Sequence, residues 1–554
     1  MTDNTTLLPR LAAAATRPAS ITFVTGAVDG PGYDTEEVAW SVLHDDARAM
    51  AAALHERGAG PGTTVGILGP TSRDLVTAIR ATWLAGATVA MLPLPMRLGS
   101  MDEFIDATRN RIENAEIGTV LVDPLLQEFI PDDIASTPFS DLGGRSPADY
   151  REPTIDPDSL AILQFTSGST SDPKGVMLPH RCVTANIDAI AAGSGLDPTT
   201  DRVASWLPLY HDMGLIGLLG VPMTTGVDLV LAGPQDFLAA PLRWMEWMSR
   251  FRCTLTGGPN FSYALAARAM RRATDLDLSA WRLALNGAEP IDPDAVEAFL
   301  EAGAKFGLDP RVPFCVYGMA EATLAISFPA PGTGLQVDTV DRRVLETDQY
   351  ATPVATDAPN ARRLPKLGHV LDGLELRIVD PDTGAARAER EVGEIELRGN
   401  SITPGYFKNP AATAAAITDG WLRTGDLGYL VDDEVVICGR RKDVIIVGGR
   451  NVFPEDVERA AARATGVRAG NVIAFGATGR RNRESIVIVA ETRAAGEDAD
   501  PLRTDIIEHV THAIGIPPGE VVLVSPGTLP KTSSGKLQRS LCRARYLDDI
   551  IEPV

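Results

Sequence analysis

The stretch LAILQFTSGSTSDPKG, residues 160–175, decides the fold. An apolar run of strand length enters a loop of Ser, Thr and Gly that closes on one lysine, Lys174. Hydroxyls, backbone amides and a single cation suit a polyphosphate. Taken alone, the same composition also describes an ordinary solvent loop. It contains no Gly-Lys-Ser/Thr, so it is not a Walker A loop.

Outward from that stretch, the chain alternates helix and strand patterns from about residue 38. A helix is expected near Val42 to Arg57, then the buried strand VGILGP, the helix DLVTAIRATWLAGA and the strand VAMLPLP. The unit recurs in VDLVLAG, CTLTGGP, WRLALNGAEP and RVPFCVYG, several ending in small or polar residues where strand tips carry ligands. This repetition predicts parallel sheets covered by helices. After about residue 370, ELRIVD, GEIELRG and EVVICGR read as a small antiparallel sheet. The charged stretch Arg440-Arg441-Lys442-Asp443 marks a boundary, beyond which a smaller unit mixes helices (PEDVERAAARA, DIIEHVTHAI) with strands (GNVIAFGA, ESIVIVAET). The expected architecture is therefore α/β. Residues 1–441 form a large N-terminal domain and residues 442–554 a small C-terminal α+β domain.

Bulk properties narrow the function. A net charge of -22 over 554 residues argues against nucleic-acid binding, which needs a basic face. It also disfavours docking on anionic lipid. The apolar run Met213 to Met223 is too short for a membrane helix and is broken by glycines and a proline. The N-terminus lacks a basic leader followed by an apolar core. Cys182, Cys253, Cys315, Cys438 and Cys542 are odd in number, with no pair at metal-ligand spacing. They read as reduced, mostly buried thiols of a cytoplasmic protein.

Four further segments join the first loop. They are Tyr317-Gly318-Met319-Ala320-Glu321, Trp421-Leu422-Arg423-Thr424-Gly425-Asp426-Leu427-Gly428, Gly439-Arg440-Arg441-Lys442-Asp443 and Pro530-Lys531-Thr532-Ser533-Ser534-Gly535-Lys536. Each has an ordinary local reading as a turn, a surface charge or a helix start. Together, in this order, they resemble the motifs of the adenylate-forming superfamily of acyl-CoA synthetases, peptide adenylation domains and luciferases. The resemblance runs from about residue 38 to 546. It implies that Thr166, Ser167, Gly168, Ser169, Thr170 and Lys174 hold ATP phosphates, and that Asn286, Gly287, Ala288 and Glu289 form the adenine-side loop. Tyr317, with Gly318, Met319 and Ala320, would stack on adenine. Asp426 would accept from the ribose hydroxyls, and Arg440 would bind ribose or phosphate. Glu321 would be the Mg²⁺ ligand, Lys442 the hinge of a mobile small domain, and Lys536 the catalytic cation that bridges carboxylate and α-phosphate. Those charges answer a physical need, because a carboxylate must attack an equally anionic phosphate in line.

Within the superfamily, Tyr-Gly-Met-Ala-Glu resembles the fatty acyl-AMP ligase branch. Ala320 stands where a threonine is usual, so one hydroxyl contact is missing. Leu207-Pro208-Leu209-Tyr210-His211-Asp212-Met213-Gly214 resembles the same branch. It implies that His211 faces the acyl-phosphate region and Met213 the acyl chain, with Asn260 and Phe261 as further pocket candidates. The Glu321–Gly368 connection contains DRRVLE and QYATPV, which resemble that branch's insertion, held to restrain the small domain and disfavour CoA; a neutral surface insertion is the alternative. The expected second step hands the acyl group to the phosphopantetheine of an acyl carrier protein feeding lipid, polyketide, lipopeptide or siderophore assembly. The alternatives are a fatty acyl-CoA synthetase and a non-catalytic acyl-adenylate binder. Arg480, Arg481 and Arg483, or Arg539, Arg543 and Arg545, could offer basic patches for an acidic carrier, against the plainer reading of each as a solvated arginine.

Overall fold

The computed structural model describes every residue except 1–4, 27–31, 96–100, 167–173, 479–483, 495 and 533–534. Two largely parallel sheets carry the large domain. In the seven-stranded sheet the order is Pro313–Cys315, Leu283–Asn286, Leu255–Gly258, Arg202–Ser205, Asp228–Ala232, Ser20–Gly26, Tyr33–Ala39; only the last pair is antiparallel. In the six-stranded sheet it is Ser136–Pro138, Thr119–Val122, Thr64–Leu68, Thr88–Met91, Leu160–Phe165, Gly175–Pro179, again antiparallel only at the last pair. Helices pack between and over them. The helix Trp40–Glu56 buries Leu43, Ala47, Met50, Ala51 and Leu54, the spacing of one helical face. Arg73–Leu84 starts at Ser72, whose side chain accepts the Leu75 N–H at 3.1 Å, and is buried over most of its circumference. Trp40, Trp83, Trp244 and Trp247 are among the largest fully buried side chains of this core.

A third, antiparallel sheet of Leu374–Val379, Gly393–Gly399, Trp421–Val431 and Glu434–Arg440 leads into the short turn Arg441–Asp443. Beyond the turn, Val467–Thr478, Glu484–Thr492 and Glu520–Val524 form a sheet packed by the helices Pro454–Ala461 and Ala499–Ile514. This part has a core of its own, including Ile445, Val457, Ile488, Leu502, Ile506, Val510 and Leu523. No helix among the described residues is long and apolar enough to cross a membrane.

Two features differ from the sequence expectation, and the sequence assigns no conformation to a third, the run from Met213. The alternation begins earlier than residue 38, since the helix Leu7–Ala14 precedes the strands Ser20–Gly26 and Tyr33–Ala39, which extend the seven-stranded sheet. RVPFCVYG is not one strand. It breaks at Val316, whose N–H donates to Asn286 O at 2.9 Å, so Pro313–Cys315 joins the large sheet and Tyr317–Gly318 pairs instead with Ala325–Phe328. The apolar run from Met213 is a π-helix, Met213–Gly220, that continues into Val221–Thr225.

Candidate active site

The phosphate-loop candidate leaves the sheet after Phe165. Its mouth is closed by the Thr166 N–H donating to Lys174 O at 3.0 Å; Ser167, Gly168, Ser169 and Thr170 lie outside the described residues. Lys174 Nζ sits 4.7 Å from the centre of the Tyr406 ring, a cation–π contact. The Tyr406 hydroxyl donates to Glu321 Oε1 at 2.9 Å, and Thr403 N–H donates to Glu321 O at 2.9 Å. Tyr406 therefore joins the loop to the motif glutamate. Burial pushes the Glu321 carboxyl up; the Tyr406 hydrogen bond opposes this and the charge of Asp212 adds to it. Gly318 is required here, since a Cβ on it would lie 2.1 Å from Leu324 O. Thr323, just after the glutamate, holds a positive φ of 71°, fixed by its hydroxyl donating to Ser401 O at 2.7 Å.

Asp426 lies nearby on the antiparallel sheet, paired in register with Arg440. Its Oδ2 accepts from the Tyr317 hydroxyl at 2.7 Å, and its Oδ1 is 3.2 Å from Arg440 Nε. The Tyr317 ring is buried in an apolar cluster with Ile291, Val296 and Ile326. Burial and Asp426 hold its phenol well above its ordinary pKa. The Asp426 carboxylate raises the Arg440 guanidinium, against the opposing effect of burial. Met319 packs partly buried beside the same cluster, and Ala320 is buried.

Asn286 ends a central parallel strand, and its Nδ2 donates to Asn260 Oδ1 at 3.2 Å. Asn286 is 2% exposed, yet its Oδ1 has no partner among the described residues. A buried acceptor left open at a strand tip fits a donor on a ligand, such as an exocyclic amine. A Cβ at Gly287 would meet Val316 Cγ2 at 2.8 Å, and Ala288 takes a positive φ of 68°. This tight turn directs Glu289 to the Phe261 N–H, which donates to Oε1 at 2.7 Å. Burial raises the Glu289 carboxyl, while that hydrogen bond, Lys536 and Lys531 pull it down. Thus Glu289 interacts with the Asn260–Phe261 helix start and with the lysine loop.

His211 and Asp212 form the mouth of the π-helix. His211 Nδ1 is 2.6 Å from Asp212 Oδ1, and both side chains are largely buried. Met213 is buried at the first turn. From the small domain, Lys536 reaches the charges of the large one. Burial lowers its pKa, whereas Asp212, Glu289 and Asp426 pull it back up and Arg440 lowers it further. Its loop is closed by Thr532 N–H donating to Lys536 O at 2.8 Å, and Lys536 N–H to Thr532 Oγ1 at 3.1 Å. Burial also lowers Lys442, in the connecting turn, with Arg440 adding to the effect. Arg539 is committed elsewhere than to a docking patch. It makes a bidentate pair with Glu458, at 2.7 Å for each bond, and also contacts Glu455 at 3.0 Å and Asp443 at 3.2 Å. Arg480, Arg481 and Arg483 lie outside the described residues.

The structure thus gathers Lys174, Glu321, Asp426, Arg440, His211, Glu289 and Lys536 around one region, on elements far apart in the chain. Sequence reading missed Tyr406 and gave Asp212 no role. Tyr406 lies in Thr403-Pro-Gly-Tyr-Phe-Lys-Asn-Pro410, which looks like a plain turn, and only the fold brings its hydroxyl to Glu321.

The chain belongs to the AMP-binding enzyme family, whose pattern matches residues 11–407. It is an ATP-using, adenylate-forming enzyme. A putative ligase of Mycobacterium tuberculosis, Rv1013, is 39% identical over 94% of this chain and 96% of its own. The medium-chain-fatty-acid–[acyl-carrier-protein] ligase JamA of Moorena producens is 35% identical over 73% of this chain and 70% of its own. A solved structure from studies of fatty acyl-adenylate ligases of E. coli and L. pneumophila superposes with a TM-score of 0.90 at 31% identity, covering 98% of both chains.

Proposed function

We propose that this enzyme joins a fatty acid to AMP and then passes the acyl group to the phosphopantetheine thiol of an acyl carrier protein. The observation that carries the first half is Lys536, half-buried and lying in the field of Asp212, Glu289 and Asp426 of the large domain. A carboxylate oxygen of the acid attacks the α-phosphorus, that bond forms, and the bond to pyrophosphate breaks. Lys536 bridges the two anions, with residues 442–554 acting as the mobile domain and Lys442 as its pivot. Asn286 to Glu289, Tyr317 and Asp426 line the nucleotide side, and His211, Met213, Asn260 and Phe261 the acyl side. Glu321 fits Mg²⁺. Among the described residues no larger group of potential metal ligands gathers, and one carboxylate beside substrate phosphates is a common Mg²⁺ arrangement. The ion would neutralise charge on the departing pyrophosphate.

The fatty acid is supported by the apolar π-helix wall and by the names of JamA and the acyl-adenylate ligase neighbour. Five buried free cysteines suit a cytoplasmic setting. In the second step the thiol sulfur attacks the acyl carbonyl, AMP leaves, and the thiol proton passes to solvent. The carrier acceptor is supported by the insertion. Val337–Asp341 pairs with Ala361–Pro365, and the helix Arg342–Asp348 lies between them, capped by Asp341. This unit grips the small domain: Arg450 Nε donates to Glu346 Oε2 at 2.8 Å, and Arg362 lies 2.7 Å from Asp456 and 4.4 Å from the centre of the Phe453 ring. A small domain held this way resists the rotation that a freely diffusing CoA would need.

Pyrophosphate release from ATP and dodecanoate, abolished in Lys536→Ala, tests the first step. No release with any fatty acid would leave a binding protein instead. Deleting residues 334–362 should raise acyl-CoA formation. An intact enzyme that makes acyl-CoA as fast as acyl-AMP would make it a CoA ligase.

A further inference from the structure

Asp212 is a largely buried carboxylate in a site that must receive two other anions. By itself such a charge repels both substrates, so its cationic and donor partners decide what it does. Its Oδ1 accepts the Met213 N–H at 2.7 Å and lies 2.6 Å from His211 Nδ1. A ring nitrogen and a carboxylate oxygen that close share a proton, which sits on Nδ1. The Met213 N–H, 3.3 Å from the same Nδ1, is therefore committed to Asp212 and not to the ring. That fixes the imidazole with Nδ1 occupied, leaving Nε2 without a hydrogen bond among the described residues.

The backbone makes this pair rigid. His211 N–H donates to Pro208 O at 3.1 Å, and Leu215 N–H to His211 O at 2.9 Å. The turn is so tight that a Cβ on Gly214 would lie 2.3 Å from Pro208 O. Gln164 Nε2 donates to Tyr210 O at 2.9 Å, tying the turn to the strand that opens the phosphate loop. Burial pushes the Asp212 carboxyl up, but His211 and Lys536 outweigh it and hold the group below its ordinary range. Asp212 is thus an ionised hub between the histidine of the large domain and the lysine of the small one.

We infer that Asp212 is a positioning residue for adenylation: it holds His211 in one tautomer and orientation, with Nε2 presented to the reacting carboxylate and α-phosphate. The inference rests on reading His211 as part of the acyl-adenylate site. Asp212→Asn is the informative change, because asparagine keeps an oxygen for the Met213 N–H but loses the charge that holds the proton on Nδ1, and an amide that can donate as well as accept no longer dictates the tautomer. With the full-length enzyme, ATP and dodecanoate, kcat for pyrophosphate release should fall about 10–100-fold, the usual effect of losing a partner that orients a functional imidazole. KM for both substrates and the thermal melt should stay near wild type. In a His211→Ala background, adding Asp212→Asn should cost nothing more, since residues acting as a unit are not additive. Unchanged kcat in Asp212→Asn beside an impaired His211→Ala overturns the inference alone, and so do additive losses in the double variant. Full activity in His211→Ala removes the reading beneath it as well.

Discussion

Replacing Arg362 by methionine should release the small domain. Arg362 is 5% exposed and reaches three places at once. Its Nη2 donates to Cys438 O at 2.8 Å, its guanidinium stacks on Phe453 at 4.4 Å, and its Nε lies 2.7 Å from Asp456 Oδ2. The last contact is short but misaligned for a hydrogen bond, with both atoms otherwise unpartnered, so its attraction is mainly coulombic. Removing one member of a buried pair costs about 3–5 kcal/mol, because the other is left uncompensated. The misalignment, and Arg459 lying 3.9 Å from Asp456, argue for the lower end. About 3 kcal/mol corresponds to roughly a hundredfold shift toward the undocked small domain. Trypsin reads that population directly, since Arg440, Arg441 and Lys442 sit at the connecting turn and Arg440 is held in a strand ladder with Asp426. Cleavage there should speed up about a hundredfold, by the same conversion, with the fragments of each domain still folded. Acyl-CoA formation should rise in parallel. Cleavage at the wild-type rate would refute the argument that this pair holds the domain.

Other changes probe the site and the core. Tyr406→Phe removes the hydroxyl on Glu321 and should raise the Mg²⁺ concentration that adenylation needs by about tenfold, the value of one charge-assisted hydrogen bond; an unchanged magnesium titration would separate Tyr406 from the proposed metal ligand. Gly318→Ala forces a Cβ to within 2.1 Å of Leu324 O and should abolish pyrophosphate release while leaving the circular dichroism spectrum intact. Burial lowers His180 from 6.5 to about 4, and its Nδ1 accepts the Leu7 N–H at 3.3 Å. The unfolded chain takes up a proton near pH 6.5 that the folded one refuses until about 4, so stability falls as pH drops through that window. The loss amounts to about 3 kcal/mol at its acid end. His180→Gln should flatten that part of the acid-unfolding curve, and an unaltered curve would show the histidine is not its source.

Much of this molecule was legible before its fold. The strand-loop stretch at 160–175 and the alternation around it point to parallel sheets, because period and turn chemistry are local. The ordered motifs point to adenylate formation through their resemblance to those of adenylate-forming enzymes, since each motif alone also has an ordinary local reading. Less legible were contacts between distant segments. Tyr406 meets Glu321 across a gap of 85 positions, and Arg362 meets Asp456 from an insertion that also reads as a neutral surface segment. RVPFCVYG read as one strand because its apolarity is continuous; only the tertiary pairing, Cys315 with Asn286 and Tyr317 with Ser327, divides it between two sheets.

The opening stretch shows where the division falls. By itself the sequence determined that an apolar strand ends in a Ser, Thr and Gly loop closed by a lysine, since strand propensity, turn residues and charge are properties of neighbours in the chain. What faces that lysine was decided by tertiary structure alone. Lys174 rests on Tyr406, Tyr406 on Glu321, and Lys536 lies in the field of Asp212, Glu289 and Asp426. Burial and charge depend on which segments the folded sheets bring together, and no local pattern encodes that distance.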